Sequence, residues 1–239
     1  MLQQKTISLV IPCFNEAAAV PVVGHRISLA AQALQKQGWN LEVLVVDDGS
    51  TDQTVKELHQ FPTLRIIHHP QNLGYGQALK SGFTQARGEL IAMMDMDATY
   101  DPVNLVDLLE HLQHRNLDVV FGNRLLPASD FSAWRRFGNH LFGFLFKYFL
   151  RLPETDVCSG LRLFKRDFVP AILELPYRGF NLSIAMSALF LQKAHRCEQI
   201  PISYSARLGE SKLMSWYEGW THLYVIATER FKRRKLVSK

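Results

Sequence analysis

Leu41–Asp52, LEVLVVDDGSTD, is the stretch from which the fold can be read. Leu41–Val46 is a short apolar run, continuous enough to lie buried on both faces of a sheet. Asp47 and Asp48 close the run, Gly49 permits a tight turn, and Ser50 to Asp52 can cap a following helix. The same pattern recurs on either side of it. Ile7–Cys13, Leu64–His68, Leu90–Met94 and Val119–Phe121 read as further strands. Helical patterns fall between them, at about 17–36, 52–60, 75–86 and 103–115. This alternation predicts an α/β, Rossmann-like, mostly parallel sheet with right-handed crossovers. In such sheets ligands bind beyond the carboxyl ends of the strands. The polar clusters stand at those ends: Asn15-Glu16, Asp47-Asp48 and Asp95-Met96-Asp97.

The chain has 239 residues, 47% apolar and 21% charged, which excludes a disordered or collagen-like polypeptide and leaves room for one full domain with an appendage. Cys13, Cys158 and Cys197 form no CxxC pair and are odd in number, so no disulfide framework is expected and a reducing, cytoplasmic setting is the natural expectation. No apolar run reaches the roughly 18 residues of a membrane span. Ile7–Pro12 is too short for the apolar part of a signal peptide. After residue 130 the texture changes. Asp156–Arg166 reads as a polar loop leading into a short strand, about 181–195 as a helix, Gln199–Tyr204 as a strand and about Leu213–Lys235 as a helix. The expected division is a domain over 1–212, with halves 1–125 and 126–212, followed by a basic tail over 213–239.

The net charge of +5 is unevenly distributed. Arg135, Arg136, Lys147 and Arg151 lie in a stretch free of acids, and Arg230, Lys232, Arg233, Arg234, Lys235 and Lys239 crowd the end of the chain against Glu229 alone. The rest of the chain is acidic. Two basic segments on an acidic body suggest an anionic partner.

Asp95 and Asp97 at a strand end can face one hard divalent cation, Mg²⁺ or Mn²⁺, which prefers oxygen ligands and keeps substrate phosphates in its shell. The plainer reading, two solvated turn acids, carries about equal weight on the triplet alone, because D-x-D is common by chance. Asp47 and Asp48 belong in part to a strand–helix turn, yet two successive acids need a donor or a cation to offset their repulsion, and a nucleobase imide N–H is one such donor. Asn15 or Glu16, taken singly, is more often a helix cap than a ligand. Cys13 is most simply a small buried hydrophobe.

Taken together, Ser8–Glu16 (SLVIPCFNE), Val45–Asp52 (VVDDGSTD) and Met94–Pro102 (MDMDATYDP) resemble the family 2 glycosyltransferases of GT-A fold. Phe121–Arg124 (FGNR), Ser159–Phe164 (SGLRLF) and Leu208–Leu213 (LGESKL) continue the resemblance in matching order, toward the polyprenyl-phosphate branch that includes the dolichyl-phosphate mannose and glucose synthases. The resemblance implies that Pro12, Phe14 and Glu16 line a nucleotide site, and that Asp48 contacts the base with Val46 beside it. It implies that Asp95 lies toward ribose or metal, with Met96 between the two acids, and that Asp97 is the direct metal ligand. Arg124 would meet donor or acceptor phosphate, a task suited to a planar guanidinium. Lys212 would neutralise the diphosphate leaving group, and Arg207 stands close to the position of an Arg that usually precedes the GESK block. This sequence departs from the family at several points. Phe14 replaces a usual Tyr, Ala98-Thr99-Tyr100 lacks a Gln or His after the D-x-D, and Asn181–Ala188 lacks an acid.

The function implied is a metal-dependent, inverting transfer of a sugar from a GDP-mannose- or UDP-glucose-type donor to a polyprenyl phosphate. Alternatives are the same fold acting on a sugar hydroxyl, or a non-catalytic sugar-nucleotide-binding membrane subunit. Residues 132–150 combine a helical apolar stripe with Trp134, Phe144, Tyr148 and the cations Arg135, Arg136 and Lys147, with Arg151 directly after, a pattern suited to an interfacial helix. Peripheral contact with an anionic membrane at the cytoplasmic face is therefore expected, and core or dimer packing is the competing reading. A membrane-protein partner or a homo-oligomer stays open. No nucleic-acid partner is expected, since no recognised module accompanies the basic segments.

Overall fold

The structure, a computed structural model, describes residues 5–124 and 156–209, together with Phe144, Lys147, Tyr148, Val225 and Thr228. The expectations for Lys212, Arg135, Arg136, Arg151, the helix over 213–235 and the boundary of the tail lie outside the described residues.

In chain order the elements are β1 (Lys5–Cys13), α1 (Val20–Lys36), β2 (Trp39–Asp47), α2 (Thr54–Leu58), β3 (Leu64–His68), α3 (Tyr75–Gln85), β4 (Leu90–Met93), α4 (Asn104–His114) and β5 (Val119–Asn123). There follow β6 (Arg162–Lys165), a 3₁₀ turn (Arg166–Phe168), α5 (Val169–Leu173), α6 (Asn181–Lys193) and β7 (Cys197–Pro201). The seven strands form one sheet in the order β3-β2-β1-β4-β6-β5-β7. Every pairing is parallel except those of β6, which runs antiparallel to both β4 and β5. The sequence reading had foreseen the parallel strands. It could not foresee the direction of β6, because four residues, RLFK, carry no directional signal. The last strand lies at Cys197–Pro201 rather than Gln199–Tyr204, and Tyr204 instead bridges to Tyr100.

The apolar runs are continuous because each strand feeds two cores. Ile7, Leu9, Ile11, Val43, Val45 and Ala92 face one core, which α1 completes with Val20, Val23 and Ile27 and α4 with Leu105 and Leu108. Val10, Leu44, Val46, Ile91 and Met93 face the other, closed by Ala78, Leu79 and Phe83 of α3 and by α5 and α6. This is the period of two along a strand with both faces covered. Each such aliphatic side chain removed from water contributes about 1.5–3 kcal/mol. Gly82 brings α3 close to the sheet: a Cβ there would lie 2.3 Å from Val10 Cγ1. Helix α1 starts three residues later than the periodicity predicts, at Val20, with Pro21 in its first turn, where a missing N–H costs nothing.

Candidate functional site

The carboxyl ends of β1, β2 and β4 meet at one edge of the sheet. Asp48 N–H donates to Cys13 O at 2.8 Å, and Met94 N–H donates to Val10 O at 3.2 Å. The loops leaving these strands are tied to one another. Asn15 N–H donates to Ser50 Oγ (2.9 Å), Thr51 N–H to Asn15 Oδ1 (2.8 Å) and Glu16 N–H to Thr54 Oγ1 (2.8 Å). Asn15, at φ 52°, is thus a structural tie between two loops. Asp52 accepts from Thr54 N–H at 2.9 Å and holds the start of α2.

The two successive acids after β2 are each answered by a histidine. Asp47 Oδ2 lies 2.6 Å from His68 Nδ1, and Asp48 Oδ1 lies 2.7 Å from His69 Nδ1. Asp48 also accepts the N–H groups of Leu73 (2.9 Å) and Gly74 (2.8 Å). Sequence reasoning missed His68 and His69. The available signal was their position at the end of β3, which pairs Asp47 with His68 in the parallel register.

The D-x-D acids are held differently from one another. Asp97 is buried; its Oδ1 accepts from Thr99 N–H (3.1 Å) and Thr99 Oγ1 (2.6 Å), a turn that needs Ala98 at φ 63°. Its Oδ2 accepts from Arg207 Nη1 at 3.1 Å, and the other arm of Arg207 reaches Glu16 Oε1. Arg207 therefore joins the first and third motifs directly, while its buried Nε has no hydrogen-bond partner among the described residues. Asp95 Oδ1 accepts the Tyr75 hydroxyl at 2.8 Å, and the Tyr75 ring stacks on Phe180 at 4.5 Å. Burial, then the neighbouring Asp97 charge, pushes Asp95 up from 3.8 to about 6. The carboxylates repel, and a cation between them would relieve the repulsion. A Cβ on residue 160 would stand 2.5 Å from Asp95 Oδ2, so only glycine lets this loop pack so closely against the carboxylate. Two hard oxygen donors suit Mg²⁺ or Mn²⁺ completed by phosphates and water. Among the described residues no group of three or more His, Cys, Asp or Glu converges on such an ion.

Arg124, at the end of β5, is 7% exposed and forks onto Asp156 through Nε (2.7 Å) and Nη2 (2.8 Å), while its own N–H donates to Asp156 Oδ2 at 3.1 Å. Burial opposes its charge, but Asp156 outweighs that and raises its pKa well above the usual value. The loop bearing Asp156 is braced by Arg162, fully buried, which donates to the carbonyls of Val157, Ser159 and Ser183. Asp156, Tyr75 and Arg162 were not singled out from the sequence, because each acquires its role only from a partner distant in the chain.

Not every expected side chain reaches this edge. Val46 is fully buried against α3, and Met96 is 2% exposed in the opposite core, so each offers a ligand its backbone rather than its side chain. Pro12 is buried within β1, whereas Phe14 is half-buried at the strand end. A separate groove of about 910 Å³ opens between α3 and 173–178, lined by His69, Lys80, Ser81 and Arg178 among others. It touches the strand-end cluster only through His69.

Residues 8–173 match the model of glycosyl transferase family 2. The low-salt glycan biosynthesis hexosyltransferase Agl6 of Haloferax volcanii is 31% identical over 222 residues, covering 91% of this chain and 52% of that protein. The dolichol-phosphate mannosyltransferase of Pyrococcus furiosus is 28% identical over 229 residues, covering 91% of this chain and 62% of the relative. The chain thus spans less than two thirds of the length of these curated relatives. Among solved structures, glucosyl-3-phosphoglycerate synthase of Mycobacterium tuberculosis, in complex with Mn²⁺, UDP and glucosyl-3-phosphoglycerate, superposes with a TM-score of 0.70 at 21% identity, over 94% of this chain and 78% of its own. The fold is that of the GT-A glycosyltransferases, and the chain belongs to glycosyl transferase family 2.

Proposed function

We propose that the protein transfers a sugar, with inversion, from a nucleotide-diphosphate sugar to a polyprenyl phosphate. The observation that carries this reading is the convergence of Asp48, Asp95, Asp97 and Arg207 on one sheet edge in a chain of this family. Asp48 would receive the base and Phe14 would flank it. Asp95 and Asp97 would hold Mg²⁺ or Mn²⁺, whose charge would stabilise the departing diphosphate. Arg207, already between Glu16 and Asp97, would add positive charge there, and Lys212 would neutralise the departing diphosphate. Arg124, oriented by Asp156, would serve the acceptor phosphate.

A phosphate acceptor supports the reading chemically. It is anionic at neutral pH and attacks the anomeric carbon without a strong general base, whereas a sugar hydroxyl wants one. The name of the Pyrococcus furiosus relative, a dolichol-phosphate mannosyltransferase, supports the same acceptor class. Contact with an anionic membrane is part of the proposal. Phe144 and Tyr148 are 56% and 69% exposed, with rings stacked at 6.0 Å, and Lys147 beside them is also exposed. Among the described residues no helix is long and apolar enough to cross a membrane.

The test is transfer of radiolabel from a panel of UDP- and GDP-sugars to polyprenyl phosphate, with membrane glycolipids as the competing acceptor. Label in the polyprenyl-phosphate fraction, dependent on Mn²⁺ or Mg²⁺, is expected. Label only in glycolipid would move the acceptor to a hydroxyl, and no turnover of any donor would favour a non-catalytic binding subunit. Vesicle flotation tests the membrane part: reversing charge at Arg135, Arg136, Lys147 and Arg151 should release the protein from anionic vesicles, as should high salt.

A further inference from the structure

Most of the acceptor capacity of Asp48 is used inside the protein. Its Oδ1 takes two hydrogen bonds, from His69 Nδ1 at 2.7 Å and from Leu73 N–H at 2.9 Å. Its Oδ2 takes one, from Gly74 N–H at 2.8 Å. Each carboxylate oxygen has two lone-pair positions, so among the described residues one strong acceptor position is left, on Oδ2. Asp48 is 3% exposed and His69 is 7% exposed, so water does not readily exchange for these partners.

The imidazole is fixed from both sides. An ionised carboxylate only accepts, so Nδ1 carries the proton in the bond to Asp48. The other nitrogen, Nε2, lies 2.9 Å from Ser81 Oγ on α3 and, in the neutral ring, accepts its hydroxyl proton. His69 and Ser81 thus form a buttress behind Asp48, with α3 as its rigid support.

We infer that His69, backed by Ser81, determines base specificity: by occupying Oδ1 it leaves Asp48 a single acceptor, which fits the lone imide N–H of uracil. Guanine presents two adjacent donors, N1–H and the exocyclic amine, and needs both oxygens of a carboxylate. Uracil presents its N3–H between two carbonyl oxygens, which would repel a second bare carboxylate oxygen but not one already covered by donors. An unpaired donor in a desolvated site weakens binding about tenfold or more. The inference rests on Asp48 being the base contact and narrows the donor to uridine diphosphate sugars.

The experiment is calorimetric titration of UDP and of GDP, each with Mn²⁺, into the full chain and its variants. In the wild type, UDP is expected to bind at least about tenfold more tightly than GDP. His69→Leu should lower UDP affinity and bring the UDP:GDP ratio close to one, whereas His69→Gln, which keeps an N–H donor, should retain most of it. GDP binding as tightly as UDP in the wild type overturns the inference, as does a His69→Leu variant that weakens both nucleotides equally, the result of a merely structural role. If UDP binding is lost in Asp48→Ala while the ratio survives in His69→Leu, the base contact stands and the role of His69 falls. If neither nucleotide binds the wild type, the reading of Asp48 falls and takes this inference with it. Should His69→Leu not fold, as judged by circular dichroism, the wild-type ratio still decides on the acceptor count.

Discussion

Removing the Asp156 carboxylate takes the bidentate partner from a buried guanidinium, and the cost can be worked from the contacts. Asp156 is fully buried and Arg124 nearly so. Two side-chain hydrogen bonds, at 2.7 and 2.8 Å, and one from the Arg124 N–H, at 3.1 Å, end on that carboxylate. Breaking a buried pair from one side costs about 3–5 kcal/mol, because the remaining charge keeps its desolvation penalty and loses its partner. Asp156→Ala should therefore destabilise the protein by about that amount in urea unfolding, read as a shift in midpoint at constant slope. The double variant Arg124→Met with Asp156→Leu should recover much of the loss, since apolar residues of similar volume replace buried pairs at little cost. A loss below about 1 kcal/mol for Asp156→Ala, the value of an exposed pair, would refute the reasoning. The double variant separates stability from function: restored folding without sugar transfer is expected if Arg124 serves the acceptor.

The remaining predictions concern the D-x-D acids. Asp95, raised to about 6 by burial and by Asp97, binds its proton more tightly in the folded chain than unfolded. Metal-free stability should therefore fall as pH rises from about 4 through about 6, by up to about 3 kcal/mol, and Asp95→Asn should flatten that profile in denaturant titrations at several pH values. An unchanged slope in Asp95→Asn would show that another group titrates there. Arg207→Ala should raise the Asp95 midpoint further, because Arg207 favours its ionised form; carboxyl-detected NMR titration checks this, and an unmoved midpoint would contradict the bridge. Gly160→Ala should weaken metal-dependent donor binding while costing about 1–3 kcal/mol of stability, since the added methyl meets Asp95 Oδ2 at 2.5 Å. Donor titration with normal affinity would show that the loop yields.

What the sequence disclosed was what is local along the chain. Each apolar run closed by a polar cluster revealed a strand and its carboxyl end, so β1, β2 and β4, with Asp48, Asp95 and Asp97 at those ends, were legible in the sequence alone. Partners contributed by distant segments were not. His69 answers Asp48 from the next strand, Asp156 answers Arg124 across the segment between β5 and β6, and Tyr75 reaches Asp95 from α3. Side-chain direction was the other hidden variable. Val46 and Met96 sit beside site residues in sequence, yet strand alternation and the D-x-D turn send them into opposite cores. The antiparallel β6 was invisible for a related reason: direction belongs to the pairing, here Val119 with Phe164, and not to either strand alone.

In the proposed function the strand-end carboxylates would bind a nucleotide diphosphate through a divalent cation. Calorimetric titration of UDP into the wild type and into Asp97→Asn, each with Mn²⁺ and with chelator, tests it most directly. Tight, Mn²⁺-dependent binding is expected in the wild type, and weak binding in Asp97→Asn that Mn²⁺ no longer improves. Equal affinity with and without Mn²⁺ in the wild type, or an Asp97→Asn variant that still responds to Mn²⁺ in full, would contradict it.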